Sequence, residues 1–463
     1  MFQRKLIALG VLLALGLPSP SRAASDTELQ QLRREIQLMK QAYEARIDAL
    51  ERRINLAENQ ADKARERAET VAAAPVPAQG ENAFNPGISL ILSGTYANLS
   101  QDPAGYAISG FVPSGGEVGP GERGFSLKES ELVVSANIDP NWRGNFTLAV
   151  APDNTVAVEE AYVQSLALGN GLTAKGGRFF SGVGYLNEQH PHSWDFVDAP
   201  LAYQAFFGNQ LGEDGVQLKW LAPTDTYLEI GAELARGRSF PGSDRNKNGT
   251  GLSTLFAHLG GDVGASHAWR AGLSLVRTSP RDRAYDDMDS TGTAVTNAFS
   301  GDSKMWLADF VWKWAPQGNS KSTNLTLQGE YFRRTEDGSL TYDTAAASLG
   351  TATGAYASAQ SGWYVQGVYQ FMPHWRAGLR YDRLNGGSTG IGLVNSGALT
   401  AADFPLLGAY DPRKASLMVD YSPSEFSRLR FQLARDQSRQ GLTDNQLFLQ
   451  YIMSLGAHGA HKF

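Results

Sequence analysis

Residues 363–382 read WYVQGVYQFMPHWRAGLRYD. Trp363, Val365, Gly367, Tyr369 and Phe371 fall on one side of a two-residue period, and Tyr364, Gln366, Val368 and Gln370 on the other. After Met372-Pro373 the pattern restarts, with Trp375, Ala377, Leu379 and Tyr381 alternating with Arg376, Gly378, Arg380 and Asp382. A period of two places successive side chains on opposite faces, so the stretch predicts two β-strands joined by a tight turn. Both strands carry a bulky apolar face and a face holding Arg, Asp and Gln.

The same pattern extends in both directions. Leu429, Phe431 and Leu433 alternate with Arg428, Arg430 and Gln432, and Trp306, Ala308, Phe310, Trp312 and Trp314 alternate with Met305, Leu307, Asp309, Val311 and Lys313. Sixteen strands are predicted, at 87–100, 125–138, 141–151, 156–168, 171–180, 213–222, 226–236, 250–260, 267–279, 303–315, 321–336, 356–371, 374–386, 411–422, 426–439 and 444–456. The segment 156–168 fits the alternation poorly. Short connections such as Asp139-Pro140 and Gly169-Asn170 alternate with longer ones such as 101–124, 181–212, 280–302 and 387–410. Several strands end in an aromatic, among them Trp142, Tyr162, Trp220 and Trp375. Strands of 10 to 16 residues exceed the five or six usual in soluble sheets. Where lipid surrounds a sheet, every backbone polar group must bond internally, so the sheet closes and turns its apolar face outward. The fold class expected is all-β: a transmembrane 16-stranded antiparallel β-barrel over residues 87–463, preceded by an α-helical coiled coil.

Composition narrows the function. The 463 residues contain 50 Gly and no Cys, which excludes disulfides, thiolate metal sites and thiol nucleophiles. A net charge of −6 argues against nucleic-acid binding. A mean hydropathy of −0.30 argues against a bundle of membrane helices. The N-terminus carries Arg4 and Lys5, an apolar run Leu6–Leu17 and small residues at Ser21 and Ala23, the pattern of a cleaved export signal over 1–23. From Leu29 the apolar residues Leu32, Ile36, Met39, Tyr43, Ile47, Leu50 and Ile54 step by threes and fours, so a coiled coil is expected over 26–71. A helix of that kind needs a partner to bury its stripe, which implies a homo-oligomer. Residues 72–86, with Pro75 and Pro77, form a Pro/Ala-rich linker.

On Leu29–Ile36, on Gly176-Gly177-Arg178-Phe179-Phe180 leading to Gly215-Val216, and on Leu449-Gln450-Tyr451 to Phe463, the chain resembles Gram-negative outer-membrane porins of the phosphate-selective porin type, particularly trimeric members with a periplasmic coiled coil. The resemblance implies a passive diffusion channel for small hydrophilic solutes in the cell outer membrane. It implies a trimer with its coil in the periplasm, contact with outer-membrane lipid and lipopolysaccharide, and insertion through a signal at Phe463. The alternatives are a structural protein tethered by its coil to the cell wall or a periplasmic partner, and a specific uptake channel or receptor serving metal (zinc) supply. Some relatives are labelled zinc-regulated, energy-coupled receptors, and such receptors resemble twenty-two-stranded barrels with a separate globular plug; a coiled coil and a sixteen-stranded domain argue against that design here.

In sixteen-stranded porins the third long loop folds inward and narrows the pore. Here that loop is 181–212, which carries Glu188, His190, His192, Trp194, Asp195, Asp198, Tyr203, Phe206 and Phe207 but no Lys or Arg. The expected pore lining and constriction comprise Glu129, Glu131, Arg143, Glu188, His190, His192, Asp195, Asp198, Lys219, Arg376, Arg380, Arg428 and Arg430. Opposed acids and bases in a narrow channel would set a transverse field. The aromatics of the loop would offer a track for sugars or other organic solutes. The interspersed acids put phosphate selectivity in doubt. His190-Pro191-His192 is not a helical pair and its spacing is weak for zinc, so no metal ligand is assigned. No cofactor, catalytic residue or nucleic-acid partner is expected.

Overall fold

The computed structural model describes residues 86–115 and 118–456, together with the helical residues Gln37, Lys40 and Gln41. The chain divides into two units, Met1–Ala83 and Phe84–Phe463. The export signal, nearly all of the coiled coil, the linker except Pro86, and Phe463 lie outside the described residues.

The second unit is a single antiparallel sheet. Its segments are β1 (Gly87–Leu99), β2 (Gly124–Leu127), β3 (Ser130–Asn137), β4 (Trp142–Val150), β5 (Val156–Ser165), β6 (Leu172–Phe180), β7 (Gly212–Leu221), β8 (Tyr227–Ala235) and β9 (Leu252–Val263). They continue with β10 (His267–Thr278), β11 (Arg283–Met288), β12 (Ala294–Trp314), β13 (Asn324–Tyr342), β14 (Ala352–Met372), β15 (Trp375–Ile391), β16 (Arg413–Ser424), β17 (Ser427–Gln437) and β18 (Asp444–Gly456). Apart from β2 with β3 and β10 with β11, consecutive strands pair, and β18 returns to pair with β1, so the sheet has no free edge. β2 and β3 pair in tandem with β1, and β10 and β11 in tandem with β12. The described residues therefore form a closed wall of sixteen positions.

The faces are distributed as a membrane barrel requires. Trp306, Phe310, Val365, Leu379 and Leu449 point outward and are exposed, Phe310 at 50%. Asp309, Glu330, Arg380, Arg430 and Asp436 point inward and are buried. A soluble β-sandwich would bury Trp306 and Phe310 between its sheets. Among the described residues no helix is long and apolar enough to cross a membrane.

The strand predictions need correction in three respects. Segment 125–138 is interrupted at Lys128-Glu129. Strands predicted at 303–315, 321–336, 356–371 and 374–386 extend through Ala294–Trp314, Asn324–Tyr342, Ala352–Met372 and Trp375–Ile391. Nine to eleven residues suffice to cross a bilayer, so about half of each lies beyond an apolar band. The extensions are rich in Ser, Thr and Gly, which lack the apolar alternation that marks a strand. Finally, the 280–302 connection contains β11, stabilised by pairing with the extended β12.

Candidate functional site

The residues between β6 and β7 run across the inside of the cylinder and are held from several walls. Near its start, Ser181 Oγ and the Gly182 N–H donate to Glu233 of β8 (2.5 and 2.8 Å). The N–H groups of Tyr185 and Leu186 donate to Glu330 of β13 (both 3.1 Å), as does the Tyr203 hydroxyl. Gly184 has φ +70°, and a side chain there would fall on that carboxylate. From the opposite wall, Arg428 and Arg430 of β17 donate to the Trp194 carbonyl (3.1 and 2.8 Å). Asp195 pairs with Arg376 of β15 at 2.9 Å. Asp198 meets Arg380 at 3.0 Å, Lys414 of β16 at 2.6 Å and Gln432 at 3.0 Å.

The far part of this segment is apolar. Helix α1 (Leu201–Phe207) is buried along its whole length, and Gly208 closes it in the left-handed conformation. Tyr203 and Phe206 pack on Phe332, with Leu307, Tyr364 and Leu384 around them. An aromatic track facing solute is therefore not what Tyr203, Phe206 and Phe207 form; they anchor the helix to the wall. This explains why the inward faces of β12–β15 carry Leu307, Phe332 and Leu384 among their polar groups.

A second cluster sits where the loop meets β3 and β5. His190 Nδ1 lies 3.1 Å from Glu159 and 3.1 Å from Glu131, and its Nε2 lies 3.1 Å from Glu160. His192 Nδ1 lies 2.8 Å from the other oxygen of Glu131, and the two imidazoles stack at 5.7 Å. Glu159 and Glu160 are consecutive, yet both reach the same ring. The register between β4 and β5 shifts here: Thr147 faces Glu160 while Leu148 faces Val158. This bulge inserts Glu159 and overrides the alternation. Burial works against charge on His190, but the neighbouring carboxylates of Glu131, Glu159 and Glu160 outweigh it and raise the imidazole well above its usual pKa. Burial likewise opposes the charge of Asp198, yet Lys414 and Arg380 hold that carboxyl well below the carboxylate range.

Two cavities flank the cluster. The larger, about 1020 Å³, is lined near the short-turn ends of the strands by Glu131, Glu188, Lys219, Glu229, Arg376 and Arg428, among others. The smaller, about 250 Å³, is lined by Glu129, Glu159, Asp198 and Gln450, among others. Phe180 and His192 border both, so the cluster stands between them.

The structure thus brings Glu131, His190 and His192 together, and separately Asp195 with Arg376 and Asp198 with Arg380. Glu188 lies 3.9 Å from Lys175, and Lys219 pairs with Glu229 at 3.1 Å. Glu129 lines the smaller cavity beside the β2–β3 break. Arg143 stands apart, exposed near a strand end and bonded to Ser135 at 2.9 Å. Sequence reasoning missed Glu159 and Glu160, which lie in the segment whose alternation failed; that failure was the available signal. It also missed Lys414 and Glu233, which only the closure of the barrel brings to the loop.

No family model matches the chain. A protein of Aquifex aeolicus (strain VF5), described only as an uncharacterized protein, is 30% identical over 421 residues, covering 85% of this chain and 83% of that protein. The chain belongs to the family of that protein. Among solved structures, a loop L8 deletion mutant of OmpT, an outer membrane protein of Vibrio cholerae, matches with a TM-score of 0.49 at 12% identity, over 80% of this chain and 99% of that one. OprB of Pseudomonas putida matches with 0.46 at 13% identity, over 80% and 94%. The outer membrane channel DcaP of Acinetobacter baumannii matches with 0.43 at 12%, over 80% and 97%. The fold assignment rests on the closed ring of strand pairings.

Proposed function

We propose that the barrel spans an outer membrane and passes small hydrophilic solutes passively, through the neck bordered by His192 and Phe180. One observation carries this reading: an apolar surface faces outward while charged side chains face cavities inside. Lipid demands such an outer face. An inward wall with no passage to line would gain more from apolar packing than from buried charge.

The neck would sort by charge and polarity. Glu131, Glu159 and Glu160 stand on one flank, and Arg376 and Arg428 face the larger cavity from β15 and β17. Acid and base set across a narrow water path create a transverse field, which favours dipolar solutes over apolar ones. Assembly as a trimer with a periplasmic coil belongs to the same proposal.

The test is single-channel recording in planar bilayers with purified, folded protein. Discrete conductance steps are expected, with reversal potentials in a salt gradient giving the charge preference. Absence of steps from protein that has inserted would refute the channel. The second reading, a tether with incidental conductance, would then gain; the complete burial of α1 inside the barrel favours it.

A further inference from the structure

We propose that the neck is a binding site for one divalent first-row transition-metal ion per protomer, ligated by His190 Nδ1 and by carboxylate oxygens of Glu131 and Glu159. The three ligand atoms all lie within 4.8 Å of one another. Two of the three separations are 3.1 Å. Tetrahedral coordination with bonds of about 2.0–2.1 Å places ligands about 3.3 Å apart, so the site needs only a slight adjustment. Imidazole with carboxylates suits the ions of the zinc, cobalt and nickel class, not calcium or magnesium, which take oxygen alone.

The groups around the ligands are arranged as a metal site requires. Glu160 lies 3.1 Å from His190 Nε2, the carboxylate–histidine pairing that orients a ligating ring and leaves its other nitrogen for the ion. His192 holds the second oxygen of Glu131 at 2.8 Å, which turns the first toward His190. An independent observation points the same way. The single Nδ1 hydrogen is committed to Glu159, so Oε2 of Glu131 is buried without a hydrogen bond although it aims into the cluster. Glu131 is 1% exposed, and a carboxylate oxygen left in that state is costly. An ion in place of the Nδ1 proton would satisfy that oxygen and offset the three negative charges. Ions reach the position from the larger cavity, which Glu131 and His190 line. From the sequence no metal ligand is assigned, because the spacing of His190 and His192 is weak for zinc; the other two ligands come from strands remote from the loop.

Binding itself does not depend on conduction; only the ion's position in the passage rests on the channel reading. The experiment uses the purified full-length protein in detergent, stripped with a chelator and titrated with Co²⁺. Visible absorption bands of low-symmetry, four- or five-coordinate Co²⁺ are expected to saturate at one equivalent per protomer. Glu159→Gln and His190→Gln should each weaken this binding at least about tenfold. Asp225→Asn, in a short turn, should leave it unchanged. Heat-modifiable gel migration confirms that each variant is folded. Folded wild-type protein that shows no stoichiometric binding, or equal affinity in all variants, overturns the proposal. Conductance recorded with and without added metal is a separate arm: block in the wild type and not in Glu159→Gln places the ion in the passage. Bilayers without any conductance would sink the channel reading and leave the Co²⁺ result standing.

Discussion

Asp198→Ala removes the acid at which the loop is held to the basic wall. In the native protein its carboxylate meets Arg380 at 3.0 Å, Lys414 at 2.6 Å and Gln432 at 3.0 Å, all buried. Deleting one partner of a buried pair costs about 3–5 kcal/mol, mainly because the other charge is stranded. Here the stranded cations keep other partners: Asp382 lies 3.0 Å from Arg380 and Asp436 3.2 Å from Lys414. The expected loss therefore falls to about 2–3 kcal/mol. Because Arg428, Arg430 and Glu330 still hold the loop elsewhere, the barrel should fold and the middle of the loop should loosen. The assay combines the thermal midpoint of heat-modifiable migration with single-channel current noise; a lower midpoint and a noisier open level are expected. The pH dependence follows from the same contacts. A carboxyl held below its unfolded value contributes stability above that unfolded value and loses it as pH falls through the native one. Wild-type recordings at about pH 4, where an ordinary aspartate is half protonated, should match those at neutral pH with respect to this anchor. A variant identical to wild type in both midpoint and noise would refute the reasoning.

Glu330→Ala leaves two backbone N–H groups and the hydroxyls of Tyr203 and Tyr364 without their acceptor. At about 1–3 kcal/mol per buried unsatisfied group, partly relieved by entering water, about 3–6 kcal/mol should be lost in a thermal or urea unfolding series. Gly184→Ala forces a left-handed backbone on a residue whose side chain would meet Glu330, and should cost more than about 1 kcal/mol; a neutral effect would mean the loop is held differently. Phe310→Arg puts a charge on the outward face and should destabilise refolding into phospholipid vesicles by about 2–4 kcal/mol; no effect would contradict a lipid contact there. Arg428→Ala removes a cation from the larger cavity, so the reversal potential in a KCl gradient should move toward cation preference, and a shift the other way would show that Arg428 is not on the ion path.

By itself the sequence determined the strands and the direction of their faces. Alternation is a local property, so Trp306 and Phe310 were legible as one face and Asp309 as the other before any partner strand was known. The span between β6 and β7 was legible too, because the strands on both sides are regular. What the tertiary structure decided is which side chains share the interior. Glu131, Glu159 and His190 come from three separate stretches, and one of them reaches the site only through a bulge that broke the alternation used to read the strands. The ends of the long strands had the same difficulty, since they owe their form to pairing with a neighbour, and their Ser, Thr and Gly residues carry no apolar period. Closing a sheet brings distant residues together at a register set by every hydrogen-bonded pair around the ring, and that register is a property of the whole cylinder that no single segment encodes.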